Sequence, residues 1–161
     1  MDRMSPLEFK KWLETRTRTF SVAVFKALDA LPKRSSTQVI ANQLGKSASS
    51  IGANYREANR AESGDDFRHK LSIALKEANE SLYWLEILSD LYPMHELYRK
   101  LAAEAEELLK LIQSITRSSR TKAKLQKSIR TIKQFQLAIE QSEQSEQSNN
   151  KEYHEPDRIH P

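Results

Sequence analysis

Residues 94–115 read MHELYRKLAAEAEELLKLIQSI. Within them Met94, Leu97, Leu101, Ala105, Leu108, Ile112 and Ile115 recur at steps of three and four. That spacing lines one face of a helix with 3.6 residues per turn, whereas a half-buried strand would alternate every second residue. Ala, Leu, Glu and Lys fill most remaining positions, and all are strong helix formers. The stretch predicts an amphipathic helix with one apolar face to hide.

The same pattern extends upstream. Pro93 separates this helix from a third, in which Phe67, Leu71, Ala74, Ala78, Leu82 (or Ser81), Leu85 and Leu88 keep the spacing. Ser63-Gly64-Asp65-Asp66 opens that helix with acids beside its positive dipole end. Ile40, Leu44, Ser47, Ile51, Asn54 and Ala58 form the stripe of a second helix beginning near Ser35-Ser36-Thr37-Gln38, with Val39, Ala48 and Tyr55 on its flank. Its middle, Ser47-Ala48-Ser49-Ser50-Ile51-Gly52-Ala53, is made of small residues. Glycine inside a helix costs about 1 kcal/mol relative to alanine, so close approach of a neighbouring helix is the expected reason. The first helix starts with Ser5-Pro6-Leu7-Glu8, which fits a capping box with proline at the first helical position. Met4 and Phe9 fit a hydrophobic staple. Leu13, Thr17, Phe20, Val24, Ala27 and Leu31 carry the stripe to Pro32.

Four amphipathic helices joined by short loops must bury four apolar faces, and short connections make neighbours antiparallel. The expected fold is all-α, an up-down antiparallel four-helix bundle over residues 1–118. Downstream, Leu125, Ile129, Ile132, Gln136 and Ile139 repeat the spacing. They predict a basic helical extension over 119–140, either continuing the fourth helix or starting anew after Ser118-Ser119. Residues 141–161 contain a Glu/Gln/Ser run with little to bury and are expected to be disordered.

Composition agrees and narrows the function. The 161 residues include 3 Gly, 5 Pro and no Cys. Disulfides, thiolate metal sites and cysteine nucleophiles are thereby excluded, and a glycine-loop nucleotide binder is disfavoured. No apolar run reaches the roughly 20 residues of a membrane helix. The start, MDRMSPLEFKKW, lacks the apolar core of a signal peptide, so a cytoplasmic location with no membrane partner is the expectation. The net charge of +4 is unevenly spread. Residues 1–116 sum to +1, 117–133 to +7 with no acid, and 134–161 to −4.

A family resemblance rests on Ser49-Ser50-Ile51-Gly52-Ala53-Asn54-Tyr55-Arg56-Glu57-Ala58, followed by Ser63, Asp66-Phe67, Lys70-Leu71, Ile73 to Ala78, Glu80-Ser81 and Tyr83-Trp84-Leu85. In order and spacing this is similar to the signature of the bacterial four-helix-bundle proteins known as 23S rRNA intervening sequence proteins, over roughly residues 7–118. The resemblance implies an all-α bundle and closed homo-oligomers, commonly pentameric rings. Some such proteins are encoded within insertions in 23S rRNA genes, and distant relatives accompany nucleic acid and a reverse transcriptase. It supplies no catalytic residues, and it stops where the basic segment begins.

Two groups of residues are candidate sites. Arg117, Arg120, Lys122, Lys124, Lys127, Arg130 and Lys133 form a basic stretch in which 120, 124 and 127 share a helical face, suited to RNA or DNA phosphates. Few aromatics interleave with them, so base-specific reading is not expected. Lys10, Lys11, Arg16 and Arg18 form a weaker basic surface. Asn54, Arg56 and Glu57 on the second helix, with Lys76, Glu77 and Glu80 on the third, suit a polar network or subunit interface, because buried charges need partners. Tyr55, Tyr83 and Trp84 are expected to cover a subunit contact.

Catalysis has no comparable foundation. A di-metal carboxylate bundle uses Glu-x-x-His pairs, and none occurs; Asp66-x-x-His69 carries the shorter acid. Gly-x-Ser-x-Gly is absent. The expected protein is a non-enzymatic homo-oligomer with no cofactor and no metal that binds RNA or DNA electrostatically. The alternative is an interaction scaffold that recruits a protein partner without nucleic acid.

Overall fold

The computed structural model describes residues 4–152, with side-chain surroundings through 137 and at 141. Four helices follow in order: α1 (Pro6–Asp29), α2 (Ser35–Ala58), α3 (Gly64–Leu91) and α4 (Glu96–Glu152). There is no strand among the described residues. The chain divides into two compact units, Met1–Arg120 and Thr121–Pro161.

Short-range chemistry fixes the helix starts. Ser5 caps α1: its Oγ accepts from the Glu8 backbone N–H at 3.3 Å, and its own N–H donates to Glu8 Oε2 at 2.8 Å. This is the expected capping box, with Pro6 first in the helix. Thr37 ties the entry to α2, accepting from the Arg34 N–H at 3.0 Å and donating to the carbonyl of Pro32 at 2.5 Å. Ser63 caps α3 by accepting from the Asp66 N–H at 3.1 Å. The loops, 30–34, 59–63 and 92–95, are short enough that consecutive helices run antiparallel.

The first unit is an up-down four-helix bundle whose core is the predicted stripes. Leu13, Thr17, Phe20, Val24 and Ala27 of α1 are buried. So are Ile40, Leu44, Ser47, Ala48, Ile51 and Ala58 of α2, and Leu71, Ala74, Ala78, Ser81, Leu85 and Leu88 of α3. Leu101, Ala105, Leu108 and Ile112 complete the core from α4. The small-residue run of α2 lies where α1 comes closest. A Cβ built on Gly52 would stand 3.0 Å from Thr17 Oγ1. Beside it, the Ser21 hydroxyl donates to the carbonyl of Ala48 at 2.8 Å. On the opposite flank, the buried Ser81 hydroxyl of α3 donates to Ser47 Oγ of α2 at 2.9 Å.

Four details differ from the sequence expectation. Tyr55 is 2% exposed inside the core, in the place expected for Asn54, so it covers no subunit contact. A helix of 3.6 residues per turn drifts from a strict seven-residue repeat, and by the end of α2 that drift has brought 55 rather than 54 inward. Met94 is 94% exposed because it precedes the helix, and Tyr98, not Leu97, starts the buried face of α4. The Tyr98 ring packs against Tyr92 at 5.8 Å. Leu31 lies beyond the end of α1 and is half-buried.

The fourth difference concerns length. Of the two readings left open at Ser118-Ser119 the structure shows continuation of α4, and the difference lies in how far it runs. Neither Gly nor Pro occurs between Met94 and Glu155 to stop it. Serine and threonine weaken a helix only slightly, and their hydroxyls here bond back one turn. Thr116 donates to Ile112 O at 2.8 Å, Ser128 to Lys124 O at 3.2 Å and Thr131 to Lys127 O at 3.1 Å. Helical backbone continues through the Glu/Gln/Ser run to Glu152, although the sequence composition suggested disorder from 141. Glu and Gln are good helix formers, which accounts for the difference. The rest of the expected disordered tail, 153–161, lies outside the described residues.

Candidate functional site

The seven cations of the basic stretch, Arg117, Arg120, Lys122, Lys124, Lys127, Arg130 and Lys133, are all exposed on α4. Arg117 and Arg120 belong to the first unit and the other five to the second. Among the described residues, Arg120, Lys122, Lys124, Lys127, Arg130 and Lys133 form no ion pair. Lys124 and Lys127 flank a shallow concavity with Ser128, Thr131 and Ile132 on one side of the helix. Beside these cations stand exposed apolar side chains, Leu125, Ile129, Ile132, Phe135 and Leu137.

Some cations of the first unit are instead tied to carboxylates. Arg16 of α1 grips Glu104 of α4 with two bonds, Nε to Oε1 at 2.6 Å and Nη2 to Oε2 at 2.8 Å. Its guanidinium also lies 5.2 Å from the centre of the Trp12 ring. The Glu104 hydrogen bond raises the Arg16 pKa further above its already high ordinary value. Arg16 is thus a structural tie, not part of an open basic surface. The pairing was not legible beforehand, because no local pattern states which α1 position faces which position of α4 across 88 residues. An open apolar groove of about 330 Å³ runs beside the pair, lined by Trp12, Thr19, Phe20 and Leu101. It presents no titratable group besides the bonded pair.

The second candidate group separates into several contacts. Glu57 of α2 accepts from Lys70 Nζ of α3 at 2.5 Å, a tie that raises the Lys70 pKa. Arg56 turns the other way, toward Glu14 of α1 at 3.9 Å. Glu14 also takes a hydrogen bond from Asn59 at 3.0 Å and faces Arg60 at 3.7 Å. It is the centre of a cluster at the end of α2 that sequence reading missed. Asn54 is half-buried and donates to its own helix, to Ser50 O at 2.9 Å. Glu80 accepts from Trp84 Nε1 at 3.4 Å. Burial raises the Glu77 pKa above the ordinary carboxylate value of 4.5, Glu80 adds to the rise, and Lys46 opposes it. Lys76 is exposed and lines a hollow with Asn79, Leu109 and Gln113. No single network joins all six residues; Glu57 and Arg56 each tie α2 to a different neighbour.

Trp84 is half-buried and meets exposed Tyr83 edge to face at 5.1 Å. Among the described residues no three His, Asp or Glu side chains come together in a metal-binding group. No helix among them is long and apolar enough to cross a membrane.

These observations define an all-α, up-down bundle held by a dry core and cross-helix polar ties, continued by a helix bearing exposed charge. The chain belongs to the 23S rRNA-intervening sequence protein family, whose model matches residues 10–114. A crystal structure from the S23 ribosomal protein family of Bacteroides thetaiotaomicron, described as a protein with unknown function, is similar in fold and sequence. The two are 37% identical with a TM-score of 0.61, over 67% of this chain and 97% of that one. No curated protein matches. The family match ends at residue 114, just before the basic stretch.

Proposed function

We propose that this chain is a non-enzymatic, oligomeric bundle protein of the cytoplasm that binds RNA or DNA through charge. One observation carries the reading: six successive cations from Arg120 to Lys133 lie exposed in a stretch that contains no acid and form no ion pair among the described residues, whereas the cations of residues 1–116 are interspersed with nearly as many acids. Exposed, uncompensated cations at helical spacing are the footprint of phosphate binding. Membership of a family named for an rRNA intervening sequence supports the same direction. The resemblance further suggests a ring of subunits, pentameric by analogy, which would multiply the charge presented to a polyanion.

Binding to duplex DNA and to structured RNA, titrated against salt, tests the reading. Seven neutralised phosphates give a slope of log K against log salt of about −6 on duplex DNA. Replacing Lys124, Lys127 and Arg130 together by glutamine is expected to reduce that slope by about 3 and weaken binding equally across sequences. Absence of binding at low salt ends the reading.

A further inference from the structure

Leu125, Ile129 and Ile132 stand 61%, 44% and 57% exposed at steps of four and three along α4. In sequence the same register continues through Gln136 and Ile139. This is the four–three spacing that a coiled-coil seam uses. Charge identifies the occupant and its direction. The seam runs from a segment of +7 (117–133) into one of −3 (134–152) along the same helix. Two copies laid parallel would set cations against cations. Two copies laid antiparallel set the basic half of each against the acidic half of the other.

We propose that the α4 extension pairs antiparallel with the same segment of a second copy of this chain. The register is specific. Placing Ile129 level with position 139 of the second copy puts Ile132 level with Gln136. It also brings Lys122 level with Glu146, and Leu125 level with Glu143 toward the end of the pairing. A polar Gln at one seam position is the kind of residue that fixes register in such pairs. Lys122 and Lys133 fall on or beside the seam, while Lys124, Lys127 and Arg130 fall on its outer side. The outer three stay open to phosphates, so pairing and nucleic-acid binding use different cations. An antiparallel pair of identical segments closes on itself, so this contact joins two copies, or two rings, and is separate from the contacts within the ring proposed above; it stands or falls independently of nucleic acid.

The test uses the full chain after nuclease treatment, sized by light scattering at micromolar concentration. The Ile129→Asp, Ile132→Asp double variant is expected to halve the particle mass while the bundle's thermal transition stays in place. Direction is read by oxidative crosslinking, made simple by the absence of native cysteine. Ile129→Cys together with Ile139→Cys is expected to crosslink between copies. Ile129→Cys alone is not, because the antiparallel register holds the two equivalent sites about 15 Å apart along the axis at 1.5 Å per residue. A wild-type monomer, a mass unchanged by the double variant, or a mass halved by nuclease in place of substitution overturns the pairing. Efficient crosslinking of Ile129→Cys alone overturns its antiparallel sense.

Discussion

From Leu13 to Ile112 and from Leu125 to Leu137 the chain uses one apolar alphabet, but the outcomes are opposite. In the bundle, Leu85 and Leu108 are fully buried, and Arg16 is locked to Glu104. In the extension, apolar side chains are 44% to 67% exposed, and the neighbouring lysines form no ion pair among the described residues. The difference shows what hydrophobic periodicity reports. It states that a helix will form and which face is apolar. Whether that face is covered within one chain depends on a second element with a complementary face, and the extension has none among residues 121–137.

The sharpest way to break this contrast is to truncate one side chain in each region. Leu108→Ala should destabilise the bundle by about 2–5 kcal/mol, since it removes packing and leaves a cavity. Leu125→Ala should leave the bundle's unfolding transition within about 0.5 kcal/mol of wild type. Thermal or urea unfolding followed by circular dichroism measures both. Equal losses would mean that the extension shares the bundle's core.

A smaller effect probes the tightest contact between α1 and α2. Gly52→Ala gains about 1 kcal/mol of helix propensity, but its methyl would press on Thr17 Oγ1 at 3.0 Å. Overpacking of this kind costs about 1–3 kcal/mol, so the substitution should be neutral to destabilising. With Thr17→Ala in the background the sign should reverse and Gly52→Ala should stabilise. A sign that stays the same in both backgrounds would show that helix approach is not what demands glycine there.

The ion pair supplies the next comparison. Glu104→Gln should cost about 1 kcal/mol, because Arg16 loses a two-pronged, half-buried partner. Lys127→Gln should leave stability unchanged while weakening polyanion binding. If Lys127→Gln instead destabilises the fold as Glu104→Gln does, the division between paired and open cations fails.

The smallest effect concerns Glu77. Its folded pKa lies above 4.5, so the folded chain holds this proton to higher pH than the unfolded chain does. Stability therefore falls as pH rises from about 4.5 through the raised value, and stays lower beyond it. Glu77→Gln should raise the melting temperature slightly at pH 7 and have no such effect well below pH 4.5. A larger gain at acid pH than at neutral pH would reverse the assigned direction.

Most of the fold was legible because local rules were consistent with one another. Ser5 with Glu8, Thr37 and Ser63 mark helix entries by chemistry confined to a few residues, and the three–four stripes name the core. Errors came where a rule had to be extrapolated. A repeat of seven drifts on a real helix, which brought Tyr55 inward in place of Asn54. Pro93 marked a boundary but not the turn that leaves Met94 outside. Serines 118 and 119 left open whether α4 continued, and uninterrupted helix formers carry it on, past the point at 141 where composition suggested disorder. The contacts between helices were legible only in part. A role for Glu57 could be read from its place in the signature, but its Lys70 partner and the Arg16–Glu104 clasp depend on how α1, α3 and α4 align, which no local pattern encodes. Charged side chains are costly to bury, so the exposure of the seven cations of the basic stretch could be expected from the sequence.

The three brief connections, 30–34, 59–63 and 92–95, also set the order of events when the polypeptide first acquires its shape. α1 packs on α2 and α2 on α3, so these partnerships join chain neighbours. Little loop entropy is lost in closing them, and bundles with such low contact order fold on the order of microseconds to milliseconds. During synthesis each hairpin can close once its second helix has left the ribosome, before the next is complete. Nascent apolar faces are then covered early, and chaperone demand should be low.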